Sequence, residues 1–260
     1  MGTVTSADGT TIAYERIGGG PALILIDGAL AHRALWGAHE LARSLAPHFT
    51  VYLYDRRGRG ESSDTAPYAV EREVDDIAAL IEEAGGSAAL YGMSSGGALA
   101  LEATASRLAV SKLAVYEVPY TVDGGDDPQQ KAAYDKQLAE LLAVGDRSGA
   151  AALFLSFALP PEVVSELQAS PSWPQYEAAA GTLGYDTAVM GDGRVPRDKA
   201  AKVDVPALVM DGGDSPDMLR IPAGVLADAL LDGTRRTLPG QTHAVAPDAL
   251  APVLIEFYSA

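Results

Sequence analysis

The run Leu90-Tyr91-Gly92-Met93-Ser94-Ser95-Gly96-Gly97-Ala98-Leu99 passes from an apolar, strand-like stretch through a Gly-x-Ser-x-Gly pentapeptide into a stretch with helical spacing. A serine on a sharp strand-to-helix turn is a candidate nucleophile. The turn exposes its hydroxyl, and small residues two before and two after it, here Gly92 and Gly96, keep the strained backbone clear of its neighbours. The helix opening at Ser95 directs free N–H groups and the positive end of its dipole toward an oxyanion formed at Ser94. A serine hydroxyl is a weak nucleophile and needs a base within hydrogen-bond reach. The chain has four histidines, His32, His39, His48 and His243. The first three precede Ser94, whereas a strand–turn–helix nucleophile of this kind has its partners in the order serine, acid, histidine. His243, in Gly240-Gln241-Thr242-His243-Ala244 between a strand-like run at 236–238 and a final helical stretch, is therefore the candidate base. His32, His39 and His243 are too dispersed for a metal-ligand spacing, and phosphate-cradling and dinucleotide motifs are absent, so neither metal nor cofactor is expected.

The elements that must hold these residues follow from periodicity. Short apolar runs at 22–26, 51–54, 88–91, 113–116 and 207–210 are too short for helices and unbroken enough to be buried on both faces, which predicts parallel strands. The turn signal Ala7-Asp8-Gly9-Thr10, between β-prone residues 4–6 and 11–15, predicts an N-terminal hairpin. Helical spacing at Val70, Val74, Ile77, Leu80 and Ile81, from Ala98 to Thr104, and over 246–258 fills the gaps, as in an α/β protein with a helix-covered, mostly parallel sheet. Between Tyr120 and Val203 the strand rhythm stops for about 80 residues of Ala-rich, Pro-punctuated helical sequence. This predicts a helical cap, 120–203, inserted into a core made of 1–119 and 204–260. Its large apolar residues include Phe154, Phe157, Trp173, Tyr176, Tyr185 and Met190. Trp173 and Tyr185, with Met93 of the turn, are the substrate-binding candidates, against the alternative that such side chains form the cap's own core.

Composition removes several classes of function. The chain has 260 residues, enough for one α/β domain with an insertion, and a charge of 19 − 35 = −16. That charge repels phosphate backbones and anionic lipid headgroups, so neither a nucleic acid nor a membrane surface is an expected partner. With no cysteine there is no disulfide framework, thiol nucleophile or thiolate metal site. No apolar run reaches the roughly 20 residues that span a bilayer. The N-terminus lacks the basic and apolar regions of a secretory signal, and a cytoplasmic location is expected. Gly2 and Ser6 fit a myristoylation pattern, but the segment reads more simply as a first strand.

These features resemble the α/β-hydrolases over essentially the whole chain. Asp55-Arg56-Arg57-Gly58-Arg59-Gly60-Glu61-Ser62 is similar to that family's Asp-x-x-Gly-x-Gly-x-Ser loop, with its charges read as structural ion pairs. Asp27-Gly28 stands at the family's His-Gly oxyanion loop, with aspartate in place of histidine. The resemblance implies that the N–H groups of Gly28 and Ser95 form an oxyanion hole. The family's usual acid position falls on Ser215, with Asp214 one residue short, whereas some members carry the acid after the strand following the nucleophile. Glu117, 23 residues beyond Ser94, stands there. Glu117 is the favoured acid and Asp214 the alternative. Asp27-Gly28, Gly92-x-Ser94-Ser95-Gly96 and Glu117-x-Pro119, with the cap, also resemble zearalenone-type lactone hydrolases. What the resemblance implies is a cofactor-free serine hydrolase acting on an ester or lactone of a moderately large apolar small molecule. The alternative is a non-hydrolytic protein of the same fold that binds or cyclises its ligand.

Overall fold

The computed structural model describes residues 1–33, 38–122, 128–157 and 159–260. The predicted apolar runs lie within strands: β1 (Gly2–Thr5), β2 (Thr11–Gly18), β3 (Ala22–Ile26), β4 (Thr50–Tyr54), β5 (Ala88–Met93), β6 (Val110–Tyr116), β7 (Ala207–Gly212) and β8 (Gly233–Leu238). They form one sheet in the order β1-β2-β4-β3-β5-β6-β7-β8. The β1–β2 and β2–β4 pairs are antiparallel, and every pair from β4 across to β8 is parallel. Ser6, expected in the first strand, instead starts the hairpin turn, where its N–H donates to Thr10 O at 2.8 Å.

Helices α1 (Ala38–Leu45), α2 (Val70–Glu83) and α3 (Ser95–Ala105) follow β3, β4 and β5. Among the described residues six more, α4 (Pro128–Ala143), α5 (Arg147–Leu155), α6 (Pro161–Gln168), α7 (Trp173–Ala180), α8 (Leu183–Met190) and α9 (Arg197–Ala200), lie between β6 and β7. The chain ends with α10 (Asp217–Ala229), β8 and α11 (Pro247–Ser259). The two-residue period of a strand sorts the core into layers. Ile24, Ile26, Leu90, Val115 and Val209 pack with Ile77, Leu80, Leu99 and Leu226 of α2, α3 and α10. The alternate residues Leu23, Leu25, Leu53, Tyr91 and Met210 pack with Leu41, Leu45, Leu250 and Leu254 of α1 and α11. The helices between β6 and β7 have their own cluster, built on Leu138, Ala150, Leu155, Trp173, Tyr176 and Leu183, which Leu30 of the β3–α1 loop joins. A parallel bridge between Thr121 and Arg194 closes the two ends of this insertion. No helix of the described residues is long and apolar enough to cross a membrane.

After β3 the chain turns to one side to make β4 and then to the other to make β5. Such a reversal opens a crevice at the carboxyl ends of the strands it separates, here between the loop after β3 and the turn after β5. Helix α3 closes onto this crevice without side chains in between. A Cβ on Gly96 would lie 2.3 Å from Ile26 O and 2.5 Å from Asp27 O, and one on Gly92 would lie 2.4 Å from Gly96 O. Gly96→Ala should therefore push α3 off β3 and cost about 1–3 kcal/mol, read as a lowered urea midpoint. An unchanged midpoint would mean that the helix has room to move.

Candidate active site

Ser94 joins β5 to α3 with φ 55° and ψ −131°, outside the usual range of an L-residue and worth about 1–3 kcal/mol of strain. The sheet holds it there: its N–H donates to Tyr116 O at 2.9 Å, and Gly97 N–H donates to its carbonyl at 2.9 Å. Gly28 presses on the serine from the β3 loop, since a Cβ at Gly28 would stand 2.9 Å from Ser94 Cβ and 3.5 Å from Oγ. Ser95 opens α3, and the first N–H groups of a helix have no intrahelical acceptor. The backbones of Gly28, Ser94 and Ser95 thus converge in the crevice.

Met93 pairs with Tyr116 across β5 and β6, so Ser94 and Glu117 are the next residues on two adjacent parallel strands. Glu117 also takes a positive φ, 43°. Its side chain is fully buried, Oε1 accepts the Gly212 N–H at 2.7 Å, and Oε2 lies 2.9 Å from His243 Nδ1. A buried carboxylate requires such partners. The loop carrying His243 is itself pinned, with Tyr116 Oη donating to Thr242 O at 2.6 Å and Asp214 N–H donating to Gln241 O at 2.9 Å. With Nδ1 turned to Glu117, the imidazole presents Nε2 on the side away from that carboxylate. The structure therefore brings Glu117 and His243 together, whereas Asp214 is exposed and supports the histidine loop through its backbone.

The family profile of the alpha/beta hydrolases matches residues 23–253. The chain belongs to the alpha/beta hydrolase family. The crystal structure of an alpha/beta hydrolase from Sphaerobacter thermophilus DSM 20745 is 51% identical, covers 99% of this chain and 100% of its own, and superposes with a TM-score of 0.90. The enol-lactonase from Burkholderia xenovorans LB400 superposes with a TM-score of 0.71 over 100% of both chains at 20% identity, a likeness of fold. The pimeloyl-[acyl-carrier protein] methyl ester esterase of Xanthomonas campestris pv. campestris (strain B100) is 40% identical over 114 residues, 43% of each chain. That match spans less than half of the relative's length.

Around this alpha/beta hydrolase crevice the charged loop after β4 is more elaborate than its sequence suggests. Asp55 does not pair with the arginines beside it; it accepts the Arg33 N–H at 2.9 Å, Arg33 Nη2 at 3.0 Å and the Glu61 N–H at 2.9 Å. Arg56, Arg57 and Arg59 are all buried and reach carboxylates elsewhere in the chain, Glu73, Asp76, Asp8 and Asp186. Asp186, on α8, was not among the sequence candidates; an acidic residue in a helix of mixed polarity carries no signal of a partner so far away. Of the substrate-binding candidates, Met93 is half-buried and packs against the α1 and α11 layer. Trp173 is enclosed in the insertion's cluster, its indole N–H shared between Ser148 Oγ and Glu177 Oε1 at 2.9 Å each. Tyr185 stacks on Tyr68 with centroids 3.8 Å apart and donates to Asp64 Oδ2 at 2.6 Å.

Asp27, the residue before Gly28, carries a carboxyl pushed up to about 6 by burial, with Arg59 and Arg56 pulling it down and Asp55 adding to the rise. The folded chain thus holds this proton more tightly than the unfolded chain, so the associated stability is present at low pH and is lost as pH rises toward 6 and past it. Asp27→Asn, neutral throughout, should gain on the wild type between pH 4.5 and pH 8 in urea unfolding. A constant gap at the two pH values would place the Asp27 carboxyl in contact with water.

Proposed function

We propose that this chain is a serine hydrolase that cleaves a carboxylic ester or lactone of a moderately large apolar small molecule. The observation that carries the reading is the pairing of the fully buried Glu117 with His243 Nδ1 at 2.9 Å, one residue beyond the strand end adjacent to Ser94. In this reading His243 Nε2 takes the Ser94 hydroxyl proton as Oγ attacks the carbonyl carbon, and Glu117 stabilises the imidazolium that forms. The N–H groups of Gly28 and Ser95 receive the developing oxyanion. The imidazolium returns its proton to the leaving alkoxide, and a water deprotonated by His243 then releases the carboxylic acid from Ser94. For a lactone the alkoxide stays tethered, and the product is a single hydroxy acid.

Asp214 is the weaker acid candidate because its position serves a turn, where its backbone supports Gln241. We further assign the 120–203 helices as a cap over a core of 1–119 and 204–260, supported by their separate hydrophobic cluster and the closing bridge between Thr121 and Arg194. Met93 is assigned as a substrate contact on its place beside Ser94 and its partial exposure. Trp173 and Tyr185 would shape the pocket by bracing the cap. An ester substrate is in keeping with the partial match to a methyl ester esterase, and a lactone with the resemblance of Asp27-Gly28 and Glu117-x-Pro119 to lactone hydrolases.

A fluorophosphonate should label Ser94, and Ser94→Ala should lose several orders of magnitude in kcat on p-nitrophenyl butyrate with the fold intact. Loss of less than roughly tenfold would sink the serine mechanism. Glu117→Gln should cost on the order of 10³ to 10⁴ in kcat, while Asp214→Asn stays near wild type. The reverse ranking would transfer the acid's role to Asp214.

A further inference from the structure

Asp186 sits on α8 of the insertion, 91 positions from Ser95 and 130 from Arg56 in the chain, and is 5% exposed. Its Oδ1 accepts from Ser95 Oγ at 2.8 Å and from Arg56 Nη1 at 2.7 Å, and its Oδ2 accepts from Arg59 Nη2 at 2.6 Å. Both arginines continue to the loop on the other side of the crevice. Arg59 Nη1 donates to Gly28 O at 2.6 Å, and Arg56 Nη1 donates to Asp27 O at 3.4 Å. The peptide between Asp27 and Gly28 is planar and trans, so fixing the Asp27 carbonyl also fixes the direction of the Gly28 N–H. Leu30, at φ 58° and 1% exposed, anchors the same loop in the insertion's apolar cluster. One carboxylate therefore touches Ser95 directly and reaches Gly28 through two guanidinium groups.

Resting on the triad reading above, we propose that Asp186 is a positioning residue through which the helical insertion aims both N–H donors of the oxyanion hole. Burial works against its charge, but Arg59 and Arg56 outweigh burial and hold its carboxyl below the ordinary value, so the ionised form makes these contacts. Charge-assisted bonds to rigid guanidinium forks fix direction as well as distance. A donor misaimed by a fraction of an ångström is felt in the transition state, where the oxyanion is fully formed, and hardly in the ground state. Asp76 provides a control of the same chemistry. It holds Arg57 by two bonds, at 2.8 and 2.7 Å, and Arg57 leads to Asp8 in the hairpin turn.

The test compares wild type, Asp186→Asn, Ser95→Ala and Asp76→Asn by kcat and KM on p-nitrophenyl butyrate, affinity for phenylboronic acid, and melting temperature. Phenylboronic acid forms a tetrahedral anionic adduct on a reactive serine and so reports on the hole itself. Asp186→Asn should lower kcat about 10- to 100-fold with KM little changed, and weaken phenylboronic acid by a similar factor. Ser95→Ala should move both in the same direction by a smaller factor while melting near wild type. Asp76→Asn should melt lower with kcat retained. Wild-type kcat and boronate affinity in Ser95→Ala and Asp186→Asn, with only melting affected, would overturn the proposal, and Ser95→Ala decides alone if Asp186→Asn fails to fold. A wild type that no fluorophosphonate labels marks instead the failure of the triad reading, and is seen before any variant is made.

Discussion

A guanidinium cannot shed its proton in a folded protein, so each one that is buried obliges the chain to bring a carboxylate to it. This chain buries three within Arg56-Arg57-Gly58-Arg59. Arg56 takes both oxygens of Glu73 at 2.8 Å, Arg57 takes Asp76 and Asp8, and Arg59 takes Asp186. These partners belong to α2, the N-terminal hairpin turn and α8, three regions that share no strand pairing. The loop that follows β4 is therefore the point at which hairpin, sheet and insertion are locked together. Removing one partner from such a pair typically costs about 3–5 kcal/mol, because the charge left behind has no solvent to turn to.

Strained backbone gathers at the carboxyl ends of the central strands. Leu30, Ser94 and Glu117 all have positive φ, at 58°, 55° and 43°, and all three lie just past the carboxyl ends of β3, β5 and β6. Each such residue costs about 1–3 kcal/mol unless its surroundings leave no alternative. Here the Ser94 N–H is held by Tyr116 O, the Glu117 N–H by Met210 O, and Leu30 by the apolar cluster of the insertion. Strain and support sit on the same few peptides, so the main chain of the crevice is held at each strained position by the strands beside it or by the insertion.

The strands were legible because burial on both faces leaves a short unbroken apolar run, as in Ala22–Ile26, where sequence and structure agree to the residue. The strained turn at Ser94 was legible because it demands glycine on either side, and His243 stood out because chain order left one histidine after it. The carboxylate that meets His243 was harder. Glu117 and Asp214 are both carboxylates near strand ends, and only packing separates the enclosed side chain from the exposed one. Asp186 left no trace at all, since its meaning lies in contacts with residues 91 to 130 positions away. The aromatic residues of the insertion advertised apolar surface without saying which way it faced, and Trp173 turned inward among its own helices. Hydrophobic pattern encodes layers well; it carries no information about which distant charge a given charge will meet.

Helix α3 opens with Ser95-Gly96-Gly97, and glycine costs about 1 kcal/mol per position in a helix relative to alanine. Its first turn thus has little reason to form on its own and is stabilised mainly by the surfaces it is pressed between, Ile26 at the end of β3, Asp27 just after it and Val118 beyond β6. Those surfaces flank α3 because β3 and β6 pair with β5 on either side. The turn at Ser94 thus takes its shape from tertiary contacts, and a chain with the same helix and sheet content but without those pairings does not bring Gly28 against Ser94.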